Sequence, residues 1–250
     1  AVDTEEALLD YLHMFYKLSP SGIPARALRK MGAIEFATTI APGLKDVLLT
    51  GKVKEVTVRR TKQNRPYYDA VVLDGPPTGR IARFLNISHE ISGLAKVGPL
   101  KNQSDGVMAV FKSELTAVHL VTLLEEMPVQ ETLDAVDELT SLGLPVGGVV
   151  VNAVRSPALT AADLRAAEQG SVDLTALRAG LRGVGLDPEL ATGLAAEASD
   201  HAARVALEER GRDALAELHR PSYELPLLPH AIDLGCLYDL AGMLRAQGLA

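Results

Sequence analysis

The sequence predicts an α/β fold: an open, doubly wound and mostly parallel sheet with an added helical layer. Two observations carry this reading. Three apolar runs of strand character are separated by helical patterns, and one long Ala- and Leu-rich stretch has no strand in it. The runs are Asp69 to Asp74 (DAVVLD), Ala117 to Thr122 (AVHLVT) and Val146 to Asn152 (VGGVVVN). Each is continuous rather than alternating, the pattern of a parallel strand covered by helices on both faces. Between the second and third lies "MPVQETLDAVDELTSLG". Pro128 suits its first helical turn, Leu133, Val136 and Leu139 share one side, and Gly143 stops it. A strand–helix–strand crossover is right-handed by default, which makes the sheet open and doubly wound.

The remaining segments follow from the same signals, and the chain reads as a single domain. Residues 1–60 form a helical N-terminal part, in which Leu8, Leu9, Leu12, Phe15 and Tyr16 fall on one face and Pro42 with Gly43 marks a turn. Residues 67–152 form the sheet core. In 160–220, Thr160 with Asp163 makes a capping box, Asp187 with Pro188 opens another helix, and Ala and Leu continue to Leu218. Residues 223–250 hold a short apolar segment, "YELPLLPH", and a last helix from about Asp233 to Arg245. The chain opens on Ala1 rather than methionine, and the expectation is that a segment precedes it in the gene product.

Composition narrows the function classes. With 47% hydrophobic and 23% charged residues, the 250-residue chain is globular and buries a large core. A net charge of −7 gives no electrostatic footprint for nucleic acid. The one basic stretch, "KVKEVTVRRTKQNR" at 52–65, reads first as a solvated face with a connecting loop, and second as a contact surface for an acidic partner or polyanion. The single cysteine, Cys236, excludes an internal disulfide, fits a reducing compartment and reads as a small core residue. No run of about 18 apolar residues occurs, so a membrane span is not expected and the cytoplasm is. The six histidines have no metal-ligand spacing. Among them His119 reads as a hydrogen-bonded core residue, and Tyr67 and Tyr68 read as packing residues.

Chemistry concentrates after the first apolar run, in "YYDAVVLDGPPTGRIARFL". In an open α/β sheet ligands sit beyond the carboxyl ends of the strands, where Asp74 would stand. There it can hold Mg²⁺, directly or through water, while the next helix offers free N–H groups to an anion. Thr78 adds a hydroxyl and Gly79 lets the backbone come close. The alternative is that Asp74 only caps the helix beginning near Thr78. Asn152, taken alone, reads as a strand-end turn residue.

"DAVVLDGPPTGRIARFL" resembles the Asp-Thr-Ala-Pro-Thr-Gly-His signature of the ArsA-type ATPases, the family of arsenite-pump ATPases and of ATPases that target tail-anchored membrane proteins. Other segments are similar to the family in the same order: "IAPGLKDVL" at its Pro-Gly helix start, "LVTLLEEMPVQETLDAVDELTSLGLPVGGVVVN" at its strand–helix–strand unit, and "LPLLPHAIDLGCLYDLA" at its adenine-side loop and last helix. The resemblance implies a P-loop NTPase fold of the deviant Walker A type, with ATP and Mg²⁺ as its ligands. Asp74 would hold Mg²⁺ and the attacking water, Thr78 and Gly79 would couple the γ-phosphate to the following helix, and Asn152 would read the adenine edge. Pro226, Leu227 and Leu228 would wall the ring.

The resemblance implies an ATP-hydrolysing subunit of a dimer, paired with a second copy or a homologous subunit, that couples hydrolysis to a conformational change. A membrane-protein client or transporter is the implied partner, without nucleic acid. Departures point to an alternative, a catalytically silent half of a heterodimer. Gly75, Pro76 and Arg80 stand where the family has Thr, Ala and His, and no G-x-x-x-x-G-K-[ST] occurs in the 250 residues. Phosphoryl transfer relies on such a loop and its lysine, and the expectation is that it belongs to the preceding segment.

Overall fold

The computed structural model describes residues 44–94, 99–156, 158–229 and 231–249. The expected first helix, its turn at Pro42 and Gly43, and His230 lie outside them. The described residues fall into two compact units. One runs up to Val118 and includes Ala135–Val146; the other comprises His119–Asp134 and the chain from Gly147 onward.

In the first unit, helices α1 (Leu44–Val58), α2 (Thr78–Leu94) and α3 (Pro99–Phe111) pack against one another. Val47 of α1, Ile81, Phe84 and Leu85 of α2, and Val107 and Phe111 of α3 are buried. Their three- and four-residue spacings give α2 and α3 an apolar stripe each. Thr50, fully buried, satisfies its hydroxyl by donating to the Asp46 carbonyl at 2.9 Å. Between α1 and α2 the basic stretch closes into a tight antiparallel turn, with Arg60 bridged to Pro66 and Asn64 at φ 61°.

Residues 69–74 are not a strand. They run without regular structure, and Val72 is 91% exposed. A strand holds only when its N–H and C=O groups are paired, and among the described residues nothing pairs with this run. The helix expected near Thr78 does begin there. Tyr67 and Tyr68 are also exposed; their rings meet edge to face at 4.8 Å, and the Arg59 guanidinium lies 5.6 Å from the centre of the Tyr67 ring.

The second unit holds the sheet, in the order β1 (Val118–Thr122), β2 (Val146–Val154), β3 (Ser222–Pro226), with β2 and β3 parallel. Helix α4 (Glu126–Ser141) links β1 to β2 and ends at Gly143, φ 69°, the left-handed residue that stops a helix. Val149 pairs with Ser222 and Val150 with Tyr223, so alternate residues of β2 serve opposite faces. Val149 and Val151 pack with Leu124, Val129 and Leu215 on one face. Val150, Tyr223 and Leu225 pack with Leu240 and Leu244 on the other. Both faces of the central strand are covered, as its continuous apolar run predicts.

Leu215 belongs to α7 (Leu190–Ala216), a 27-residue helix that also packs against α5 (Ala161–Glu168) and α6 (Leu174–Gly183). The Thr160–Asp163 box caps α5, with the Asp163 N–H donating to Thr160 Oγ1 at 3.2 Å. Leu240 and Leu244 come from α8 (Leu234–Ala246). Its N-cap is Asp233, whose Oδ1 accepts from the Cys236 N–H at 2.9 Å, and Cys236 is buried as expected. At the other end of α8, the Gln247 side-chain amide pairs with the β3 edge: the Glu224 N–H donates to Oε1 at 2.8 Å and Nε2 donates to the Glu224 carbonyl at 2.9 Å.

Two consequences are measurable. A Cβ at Gly148 would lie 2.6 Å from the Tyr223 ring and 2.7 Å from the Pro221 carbonyl oxygen. The carbonyl is backbone and cannot rotate away, so Gly148→Ala costs about 1–3 kcal/mol, read from urea unfolding. The Cys236 N–H holds the Asp233 carboxyl below its usual range. A depressed carboxyl contributes stability above its unfolded value, near 4, and loses it as pH falls through the lower folded value. The first turn of α8 therefore frays on acidification below about pH 4. Carbon chemical shifts at Gly235–Leu237 follow this, and in Asp233→Ala the turn is already frayed at neutral pH.

Candidate functional site

A small open cleft, about 60 Å³, lies at the carboxyl ends of β1, β2 and β3. Leu123 and Leu124 follow β1, Asn152 and Arg155 come from the end of β2, Glu208 from α7, and Leu227 follows β3. The shape of this end is set by an irregularity in β2. The β2–β3 register breaks between Val151 and Val154, and Ala153 sits at φ 55°. A non-glycine residue in the left-handed region is costly, and a bulge with such a residue re-aims the side chain beside it. Here the neighbour is Asn152, which is exposed and whose side chain makes no hydrogen bond to other described residues. Beyond the bulge the chains rejoin: the Leu227 N–H donates to the Val154 carbonyl at 2.8 Å.

The cleft also contains a buried carboxylate. Glu208 is 4% exposed, and its Oε1 accepts from Arg155 Nη1 at 3.0 Å. Its Oε2 lies 3.9 Å from Arg212 Nη2, and Arg212 Nε donates to Glu224 Oε1 at 2.7 Å. The chain of charges ties α7 to the ends of both β2 and β3. Sequence reasoning missed Arg155 and Glu208, which stand 53 residues apart.

Asn152 and Leu227 thus meet in one cleft, while Pro226 and Leu228 flank Leu227 without lining it. Asp74, Thr78 and Gly79 belong to the other unit. Asp74 is exposed and makes no hydrogen bond or ion pair to other described residues, so it does not cap α2. Thr78 opens that helix, and the space over Gly79 is free of atoms within 4 Å. A Cβ at Gly75 would lie 2.8 Å from Ile81 Cδ1, the movable end of a side chain. His119 is hydrogen-bonded as expected, its Nδ1 accepting from the Gly148 N–H at 3.1 Å, but it is exposed rather than core. Its ring lies across Gly147, where a Cβ would collide with it.

The whole chain aligns with ATPase BagA of Mycobacterium tuberculosis at 50% identity over 251 residues, covering 73% of that protein. A family profile described as anion-transporting ATPase matches residues 2–115. The chain belongs to the ArsA-type anion-transporting ATPase family. A more distant member, ATPase GET3 of Kluyveromyces lactis, is 26% identical over 149 residues, which is 48% of this chain and 43% of that protein. The α/β fold with its parallel strands agrees with the P-loop NTPase architecture of the ArsA family. Among the described residues no helix is long and apolar enough to cross a membrane.

Proposed function

We propose that this chain is the ATP-binding and ATP-hydrolysing subunit of a dimeric ATPase. It pairs with a second copy or a homologous subunit, works in the cytoplasm and couples hydrolysis to the handling of a membrane-protein or transporter partner. The observation that carries the reading is the cleft at the carboxyl ends of the strands, where the bulge turns Asn152 outward beside Leu227. A flat heterocycle with donors and acceptors on its edge suits an amide that both donates and accepts, with an apolar neighbour for its face.

In this reading Asn152, Leu227 and their neighbours Pro226 and Leu228 serve the adenine, while Asp74, Thr78 and Gly79 serve the phosphate end. Among the described residues no group of three or more metal-ligating side chains occurs. Mg²⁺ does not require one, since it commonly takes one or two carboxylates and completes its shell with water and phosphate oxygens. The uncommitted Asp74 carboxylate and the Thr78 hydroxyl fit that demand. When bound, the ion neutralises charge on the phosphates. Thr78 and the first N–H groups of α2 orient an anion, and the open space at Gly79 admits it to the backbone.

Equilibrium dialysis of the full-length protein with Mg-ATP tests this. Saturable binding is expected, and Asn152→Ala weakens it about tenfold, the loss of one buried hydrogen-bond pair. Absence of binding, alone or with a homologous subunit, defeats the proposal.

A further inference from the structure

The cleft holds a charge pair that the foregoing roles leave unused. Arg155 stands one residue beyond β2 and spends Nη1 on Glu208, with its side chain 42% exposed against 6% for its partner. It makes no other hydrogen bond or ion pair to described residues, so its remaining donors and the flat faces of its guanidinium are uncommitted. Among the described residues that line the cleft, Arg155 is the sole cation, whereas Glu125 and Glu208 are acidic. Two carboxylates against one guanidinium disfavour a phosphate there by simple charge repulsion. A planar, weakly hydrated cation whose charge is balanced by a buried acid is instead a stacking surface for a neutral ring.

We infer that Arg155 is a second ligand-contacting residue of this cleft, its guanidinium stacking on the base of the nucleotide whose edge Asn152 reads, with Glu208 as the positioning residue that fixes its plane. The inference rests on the nucleotide reading given above. Glu208 suits the positioning task because it is itself immobile: it is buried on α7 and flanked by Arg212, which Glu224 anchors to β3. Leu227, 52% exposed, supplies an apolar surface in the same cleft.

The test compares Mg-ATP with inorganic triphosphate, which has the phosphates and no base, on the full-length protein by equilibrium dialysis. Arg155→Ala raises the Kd for Mg-ATP about tenfold, the scale of a desolvated cation–ring contact, and leaves that for triphosphate unchanged. Arg155→Lys can keep the ion pair with Glu208 but lacks the plane, so it weakens Mg-ATP almost as much. Glu208→Gln keeps the shape and weakens Mg-ATP about threefold, through loss of the charge that holds the guanidinium. Restoration of binding by lysine would show a structural ion pair and overturn the inference. A parallel loss for triphosphate would show a phosphate contact and overturn it equally, as would unchanged binding in Arg155→Ala. If the wild-type protein binds Mg-ATP and the Arg155 variants depart from this pattern, the nucleotide reading stands without Arg155. If the wild type does not bind Mg-ATP, both readings fall together.

Discussion

Asp74→Asn in the full-length protein lowers ATP turnover by about a hundredfold or more, while Mg-ATP binding stays within about threefold of wild type. The separation follows from the environment of the side chain. Asp74 is exposed at the approach to α2 and engages no described residue, so its replacement removes no packing and no cap. Surface changes of that kind usually move stability by less than about 0.5 kcal/mol. What asparagine loses is the negative charge that would hold Mg²⁺ beside the phosphates. Single-turnover hydrolysis alongside a thermal melt reads both quantities. Unchanged turnover with an unchanged melt would remove Asp74 from the chemistry.

Glu208→Ala destabilises the protein by about 2 kcal/mol, less than the 3–5 typical of breaking a fully buried pair. The difference lies in the partners. Arg155 and Arg212 are 42% and 35% exposed, so both can rehydrate when the carboxylate is gone. Arg155→Ala leaves the converse problem, a buried carboxylate whose remaining cation is 3.9 Å away. Replacing both residues by methionine removes the charges together and fills the space, so the double variant is more stable than either alanine variant. Urea unfolding of the three proteins settles the order. A double variant no more stable than either alanine variant would overturn this expectation.

The elements that the sequence announces are those whose side chains answer to local rules. Val146 to Val151 consists of valine and glycine alone, and β2 is covered on both faces. Thr160 and Asp163 stand at capping-box spacing and cap α5; Gly143 stops α4 at positive φ. Asp69 to Asp74 has the same apolar signal as β2, but a signal of burial on two faces does not supply the neighbouring strand, and among the described residues the run stays unpaired. The cleft was half legible. Asn152 and Leu227 were reached through resemblance, whereas the bulge that aims Asn152 rests on Ala153, a residue with no turn chemistry to announce it.

Glu208 and Arg155 were invisible for a different reason: they meet only through the tertiary fold. One signal was available. Glu208 precedes Gly211 by three residues and Leu215 by seven, which places a charge on the stripe that α7 buries. A carboxylate on an apolar stripe demands a cation, and the search for one leads to an arginine elsewhere in the chain.

The same residue gives α7 a mechanical role. Glu208 pins one part of this helix to the cleft, and Leu190 lies eighteen residues up the axis, about 27 Å away at 1.5 Å per residue. A helix of this length behaves as a stiff beam, so whatever shifts Arg155 and Glu208 acts on the short arm of a lever. A tilt of about 5° at the pivot displaces the Leu190 end by more than about 2 Å by the same geometry. The α5 and α6 helices ride on that long arm. A small adjustment beside a bound base would therefore be read out as a sizeable displacement at the tip, amplified by length alone.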